Sequence, residues 1–292
     1  MSINKDTRLN IDQLKHLFDS LKTGKESLLD MLWEVEISEA VYNSNAIENS
    51  TLTIDETEKI LLEMEVARKV SVREVFEAKN LARVSSYIKN KTSGKQLDEE
   101  LILFSHKMLI TGINDDIAGR LRKAGEYVRV GAYIAPAPEH LPAMLRSAML
   151  EYSSNNTSYF LEKIAKFHLE FEHIHPFCDG NGRIGRVLMN YQLMQFGFPP
   201  IIIRDKEKYV YYNTFKEYSD DKKTIGMEKV LFLAILESLH KRIAYLQGDK
   251  IVTLSEYAKK NKQALNILLN KAKRQTINAF REKGVWKIGV KQ

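Results

Sequence analysis

The sequence predicts a mainly α-helical protein with one short β-hairpin and a small basic unit near its C-terminal end. Three observations carry that expectation. Apolar residues recur at three- and four-residue spacing through most of positions 9–247. Gly119, Gly125 and Gly131 interrupt this rhythm around two short runs rich in β-branched and aromatic residues. Past Gly248 both the charge balance and the pattern change.

Leu14, Leu17, Phe18 and Leu21 form an apolar stripe that predicts a helix over 9–21. A second helix starts at Leu28 and carries Leu29, Leu32, Trp33, Ile37 and Val41. Thr53 and Glu56 have capping-box spacing and open a helix bearing Ile60, Leu61 and Met64. Further helices are predicted over 71–89, 98–111, 140–154, 158–172, 182–196, 206–219 and 226–247. Between 118 and 138, Tyr127-Val128-Arg129-Val130 and Ala132-Tyr133-Ile134 read as a hairpin or extended flap ending at Pro136 and Pro138. Beyond Gly248, Thr253-Leu254-Ser255-Glu256 opens a helix, 262–274 forms a second, 276–283 a third, and 284–290 alternates like a strand. No internal repeat or low-complexity tract is present.

A chain of 292 residues makes one large domain or a main domain with a smaller attachment. At 44% apolar and 28% charged residues it falls among ordinary soluble globular chains, which excludes collagen-like and largely disordered classes. The longest apolar run, 230–236, is far short of the roughly 20 residues that span a bilayer. The opening six residues lack the apolar core of a signal peptide, and the single cysteine, Cys178, closes no internal disulfide. These features point to the cytoplasm and away from membranes. The net charge of +6 conceals an asymmetry: residues 250–292 hold eleven Lys and Arg against two acids, which leaves the remainder mildly acidic at −3. A basic end on an acidic body suggests an anionic partner, nucleic acid first, against the plainer reading of a solvated lysine-rich face.

The segment 175–186, His-Pro-Phe-Cys-Asp-Gly-Asn-Gly-Arg-Ile-Gly-Arg, carries the chemistry. Gly180 and Gly182 flank Asn181, so the backbone can turn tightly and aim several N–H groups at one point. Helical periodicity resumes at Arg183 with Val187, Leu188 and Tyr191, which sets this cradle at a helix N-terminus, a place that favours phosphate. Arg183 and Arg186 share a helix face beside it. Asp179 offers a hard oxygen ligand for Mg²⁺, and His175 can accept a proton from a hydroxyl. Together these groups describe phosphoryl or nucleotidyl transfer.

The same segment resembles, position for position, the Fic family signature HPFx[D/E]GNGRxxR. The resemblance extends over about 30–247 and implies a Fic-type helical bundle with a β-hairpin flap, divided as N-terminal helices over 1–97 and a catalytic core over 98–247. It implies a protein adenylyltransferase, which moves AMP from ATP to a Ser, Thr or Tyr hydroxyl of a target protein, or of itself, with Mg²⁺ and release of pyrophosphate. His175 would be the general base, Phe177 would hold the loop in the core, and Asp179 would ligate Mg²⁺. Asn181, with the amides of Gly180 and Gly182, would hold the α- and β-phosphates; Arg183 would join them and Arg186 would seat the γ-phosphate. The flap at Gly131, Ala132, Tyr133 and Ile134 would hold a target strand, and Tyr211, Tyr212 and Ser219 would line the adenine pocket, although Ser219 stands where the family often has Asn. Over 248–292 the chain is similar to excisionase-type winged helix-turn-helix modules.

Upstream, Ser44-Asn45-Ala46-Ile47-Glu48-Asn49 is similar to the family's inhibitory motif, [S/T]xxxE[G/N], on a helix of about 38–49. The resemblance implies that Glu48, one turn from Ser44, pairs with Arg186, displaces the γ-phosphate and keeps the enzyme slow; the same glutamate would serve AMP removal in some relatives. His168 and His173 do not share a helix face well, so they are read as structural rather than zinc ligands, and Cys178 as an inert small residue. Two alternatives stand beside this reading. One is a Fic-fold transferase using another nucleotide or phospho-donor; the other is a DNA-binding regulator with a vestigial site. A homodimer is compatible with either.

Overall fold

The computed structural model describes residues 5–66, 69–91, 97–131 and 133–291. Twelve α-helices and five short strands occur among the described residues. The first helix, α1 (Lys5–Lys22), is followed by α2 (Glu26–Ile47), and Thr53 then opens α3 (Ile54–Glu58) through a capping box with Glu56. Helices α4 (Val72–Lys91) and α5 (Glu99–Ile110) pair with each other, Asp98 capping the latter through the Leu101 amide. Strands β1 (Arg129–Val130) and β2 (Tyr133–Ile134) make the hairpin. The remaining helices of the body are α6 (Leu141–Ser154), α7 (Phe160–Ile174), α8 (Asn181–Gln195), α9 (Lys208–Asp221) and α10 (Ile225–Gln247). No described helix is long and apolar enough to cross a membrane.

Helices α7 and α8 lie at the centre because their side chains are apolar on two faces. Phe171, Ile174, Ile184 and Leu188 join Val84, Ile102, Leu109 and Leu145 in one core. Leu161, Ile164, Met189 and Leu193 join Ile11, Phe18, Leu231 and Ile235 in a second. Burial of a single such side chain stabilises by roughly 1.5–3 kcal/mol. The turn between α7 and α8 is therefore clamped from both sides, and it is the turn that carries residues 175–180.

Gly248 ends α10 at φ 74, the left-handed cap that glycine reaches without strain. Beyond it come β3 (Lys250–Thr253), α11 (Leu254–Lys260), α12 (Leu265–Lys273), β4 (Ala279–Glu282) and β5 (Val285–Val290). The strands form one antiparallel sheet in the order β3-β5-β4. Leu254, Ala258, Leu268, Ala272, Ala279 and Ile288 build its own small core. The helix expected over 276–283 is a strand instead. Gln275 takes φ 53, which stops α12, and its side chain bonds the carbonyls of Ala272 and Ala279 and meets His240 Nδ1. Phe280, wholly buried, then pairs with Lys287 across the sheet.

This C-terminal unit is joined to the body by buried charge rather than by a linker. Arg204 bridges Glu39 on α2 and Glu237 on α10. Glu237 also receives the Arg281 amide at 3.1 Å and its guanidinium at 2.6 Å. The Gly284 amide donates to Glu39 Oε1 at 3.1 Å, and Lys241 lies between Glu36 (3.2 Å) and Glu282 (3.5 Å). Glu36 is buried, which disfavours its charge, yet Arg242 and Lys241 outweigh that and push its pKa down to about 2. Buried ions persist only when partnered in this way. Helix α2 is thus fastened along its middle, and its C-terminal end reaches the loop before α8.

Candidate active site

His175 closes α7 in a left-handed conformation, φ 50, its amide bonded to the Phe171 carbonyl at 2.9 Å. A non-glycine residue there costs of order 1–3 kcal/mol and persists only where its surroundings fix it. They do so at several points. Phe177 is wholly buried, and His106 stacks parallel on it at 3.7 Å between ring centroids. The same imidazole donates from Nε2 to the Asp179 carbonyl and accepts the Gly119 amide at Nδ1, both at 3.0 Å. Arg122, buried, donates to the carbonyl of His175 at 2.9 Å and to that of Pro136 at 2.9 Å, which ties the loop to the end of the flap. Gly180 at φ 82 then turns the chain into α8.

Asn181 departs from the expected role. Its carboxamide accepts from the Phe177 amide at 2.9 Å and donates to the Phe177 carbonyl at 2.8 Å, so the side chain is consumed in closing the loop. What it can offer a phosphate is its main-chain N–H, one of those at the start of a helix that have no intrahelical acceptor.

The tautomer and charge of the His175 imidazole are set by its surroundings. Nδ1 faces the Glu172 carbonyl at 3.3 Å, and a carbonyl can only accept, so Nδ1 carries the proton and Nε2 keeps its lone pair. Burial pushes the pKa down to about 4, so the ring is neutral near pH 7.

Around the α8 N-terminus the charges are paired. Arg183 Nη1 lies 3.1 Å from Glu77 and Nη2 lies 3.0 Å from Asp179, while its buried Nε has no partner among the described residues. Asp179 also pairs with Arg73, reaching in from α4. Burial works against the Asp179 charge, yet Arg183 and Arg73 prevail and hold the carboxyl below its usual range. Arg186 donates from Nε to Ser44 Oγ (2.9 Å), and from Nη2 to the Ser44 carbonyl (2.9 Å) and Glu48 Oε1 (2.7 Å). The Glu48 carboxylate also lies directly over Gly182, where any Cβ would collide with it.

Beneath Arg186, wholly buried Tyr211 offers its ring to the guanidinium at 5.9 Å and its hydroxyl to His168 Nε2 at 2.8 Å. Burial drives the His168 pKa down to about 3 and raises that of Glu172, next to it, to about 8. Tyr211 therefore supports Arg186 from below and presents no open face. Tyr212 is exposed on one side and donates to the Ile47 carbonyl at 2.8 Å, which fastens the end of α2 to α9. Ser219 lies two turns further along α9 and is exposed. In the flap, Gly131 turns the hairpin at φ 59, Tyr133 stacks on His173 at 4.9 Å, and Ile134 is exposed; Ala132 lies outside the described residues. His106, Arg122, Arg73 and Glu77 carried no sequence signal, since each reaches the loop from a distant segment.

No cluster of three or more metal-ligating side chains occurs among the described residues. A single carboxylate, Asp179, one-third exposed, suits an ion that arrives on phosphate oxygens, because Mg²⁺ is held by one or two carboxylates plus substrate phosphates and water. Arg73, more than half exposed, is the group that would have to yield.

Residues 96–193 match the model of the Fic/DOC family. A protein adenylyltransferase Fic of Nematostella vectensis is 33% identical over 179 residues, which cover 59% of this chain and 41% of that protein. The chain thus spans about two fifths of that relative. A probable protein adenylyltransferase of Aquifex aeolicus (strain VF5) is 28% identical over 301 residues, covering 93% of this chain and 90% of the other. Among solved structures, a Fic-domain-containing signalling protein from Bacteroides thetaiotaomicron superposes with a TM-score of 0.74 at 25% identity, over 82% of this chain and 98% of that one.

Proposed function

From the premise that this chain carries a Fic-family domain, we propose that it is a protein adenylyltransferase held in a resting state by its own Glu48. The observation that carries the proposal is the convergence, at one helix start, of a neutral imidazole with a free Nε2, a carboxylate, and the two guanidinium groups of Arg183 and Arg186.

In the proposed reaction, Nε2 of His175 takes the proton of a target hydroxyl as its oxygen attacks the α-phosphorus of ATP. The bond from that phosphorus to the bridging oxygen of the β-phosphate breaks, AMP remains on the target, and pyrophosphate leaves. Charge grows on the leaving group, so fixed cations and helix-start amides stabilise the transition state more than the ground state. Arg183, Arg186 and the amides around Gly182 would be the groups that do so. Asp179 would hold Mg²⁺, which supplies neutralisation of the phosphate oxygens. The flap edge, with Ile134 outward, would align the target strand by main-chain pairing.

The resting state follows from two contacts. Glu48 takes the guanidinium of Arg186 at 2.7 Å and covers Gly182, so one carboxylate occupies both the γ-phosphate anchor and part of the phosphate cradle. The test is incubation of wild type, Glu48→Gly and Glu48→Gly/His175→Ala with ATP labelled at the α- or γ-phosphate. Strong α-label in Glu48→Gly, lost with His175, is the expected pattern. Label from the γ-phosphate, or label that survives loss of His175, would assign a different reaction. A panel of other nucleotide and phospho-donors tests the choice of ATP.

A further inference from the structure

The C-terminal unit presents a helix whose outer face meets no other element among the described residues, the one side-chain bond there running from the Ile267 amide to Asn266 Oδ1 within the helix itself. Helices α11 (Leu254–Lys260) and α12 (Leu265–Lys273) are joined by a four-residue turn. Leu268 and Ala272 bury the inner side of α12. On its outer side Asn266, Asn270 and Arg274 follow one another at four-residue spacing, with Ile267, Lys271 and Lys273 beside them, all exposed. Lys259, Lys260 and Lys262, in and before the turn, are exposed as well. Among the described residues none of these cations makes an ion pair.

The composition of this face is selective. Lysines alone describe a phosphate-binding surface. Asn and Arg in line along one helix add groups that bond base edges, Asn to adenine and Arg to guanine, and the exposed Ile267 suits a thymine methyl. A helix-turn-helix delivers its second helix to the B-form major groove in this manner, whereas the A-form major groove of RNA is too deep and narrow to admit one. The β4–β5 turn, by contrast, is not available. Lys283 pairs with Glu58, Gly284 with Glu39, and Lys287 with Glu282. We propose that the exposed face of α12, with the lysines of the preceding turn, docks duplex DNA in the major groove, and that the β4–β5 hairpin takes no part.

The test uses the full-length protein without ATP, so its outcome is independent of the AMP-transfer reading. Fluorescence anisotropy with a labelled mixed-sequence duplex of roughly two helical turns gives the affinity between about 50 and 200 mM salt. Binding should weaken with salt by about 0.9 logarithmic units per phosphate contact and tenfold of salt. Lys262→Glu/Lys271→Glu/Arg274→Glu should lose binding at least tenfold with an unchanged melting temperature, and Lys283→Glu should retain it. Asn266→Ala/Asn270→Ala should keep binding to the mixed sequence but flatten the preference recovered by selection from a random library. No binding at the lowest salt, or equal loss in Lys283→Glu, overturns the proposal. Equal competition by double-stranded RNA or polyglutamate also overturns it, and assigns the face to another class of anion.

Discussion

Replacing Glu48 tests the resting state most directly. Its carboxylate makes a charge-assisted hydrogen bond of 2.7 Å to Arg186, a class worth about 1.5–3 kcal/mol. The Glu48 side chain is 37% exposed, so solvent screens the pair and the lower end, about 1.5 kcal/mol, applies. ATP must displace this bond to reach Arg186, so its productive affinity should be roughly tenfold weaker than in a protein without the carboxylate. Glu48→Gly also clears the space over Gly182 and should give the largest gain, at least tenfold in automodification rate at subsaturating ATP. Glu48→Gln removes the charge but keeps the bulk, and should fall between. The assay pairs calorimetric titration of ATP with the rate of α-label incorporation. Affinities within twofold of wild type and unchanged rates in Glu48→Gly would show that the contact does not restrain the enzyme.

Other expectations follow from the same geometry. Since burial puts the His175 pKa at about 4, labelling by Glu48→Gly should hold constant from pH 8 down to pH 6; a midpoint near 6.5 would mean an ordinary imidazole. His106, His168 and His175 have pKa values near 4, 3 and 4, so on lowering pH through about 6.5 these three positions take up protons in the unfolded chain that the fold refuses, and stability falls. Glu172, raised to about 8, opposes this by one proton, so these four groups contribute a slope of roughly 2.7 kcal/mol per pH unit between about 6 and 4.5, to which His173 and His240, both lowered by burial, add; denaturant titration measures it. Arg204→Ala strips the cation shared by Glu39 and Glu237 and should destabilise by about 3–5 kcal/mol; a loss under about 1 kcal/mol in thermal melts would mean the network is solvated.

The loop 175–186 was legible because its pattern is local: glycines, a histidine and two arginines at fixed spacing meet within one turn and one helix start. Capping boxes at Thr53 and Thr253 were legible or nearly so for the same reason, the bonds spanning only three residues. Strand β3 was not, since Lys250–Thr253 is too short to show a period and exists by pairing with β5. The 276–283 segment misled because its apolar spacing suits a helix, whereas the left-handed Gln275 is fixed by His240, 35 positions away. Asn181 reads as a phosphate ligand in sequence, but its carboxamide closes the loop over a four-residue separation that only the folded turn brings into register. Arg122 and His106 were silent for a different cause: each bonds carbonyl groups, which every residue possesses, so no particular side chain elsewhere announces them.

The amide of Gly284 ending on Glu39 has a consequence for biosynthesis. During translation, the turn of the proposed site and both its arginines leave the ribosome about a hundred residues before the hairpin that completes the grip on α2. A chain that stopped after α10 would keep both cores around that turn yet lack the Arg281 and Gly284 contacts on the network that holds α2, and should be the more active product.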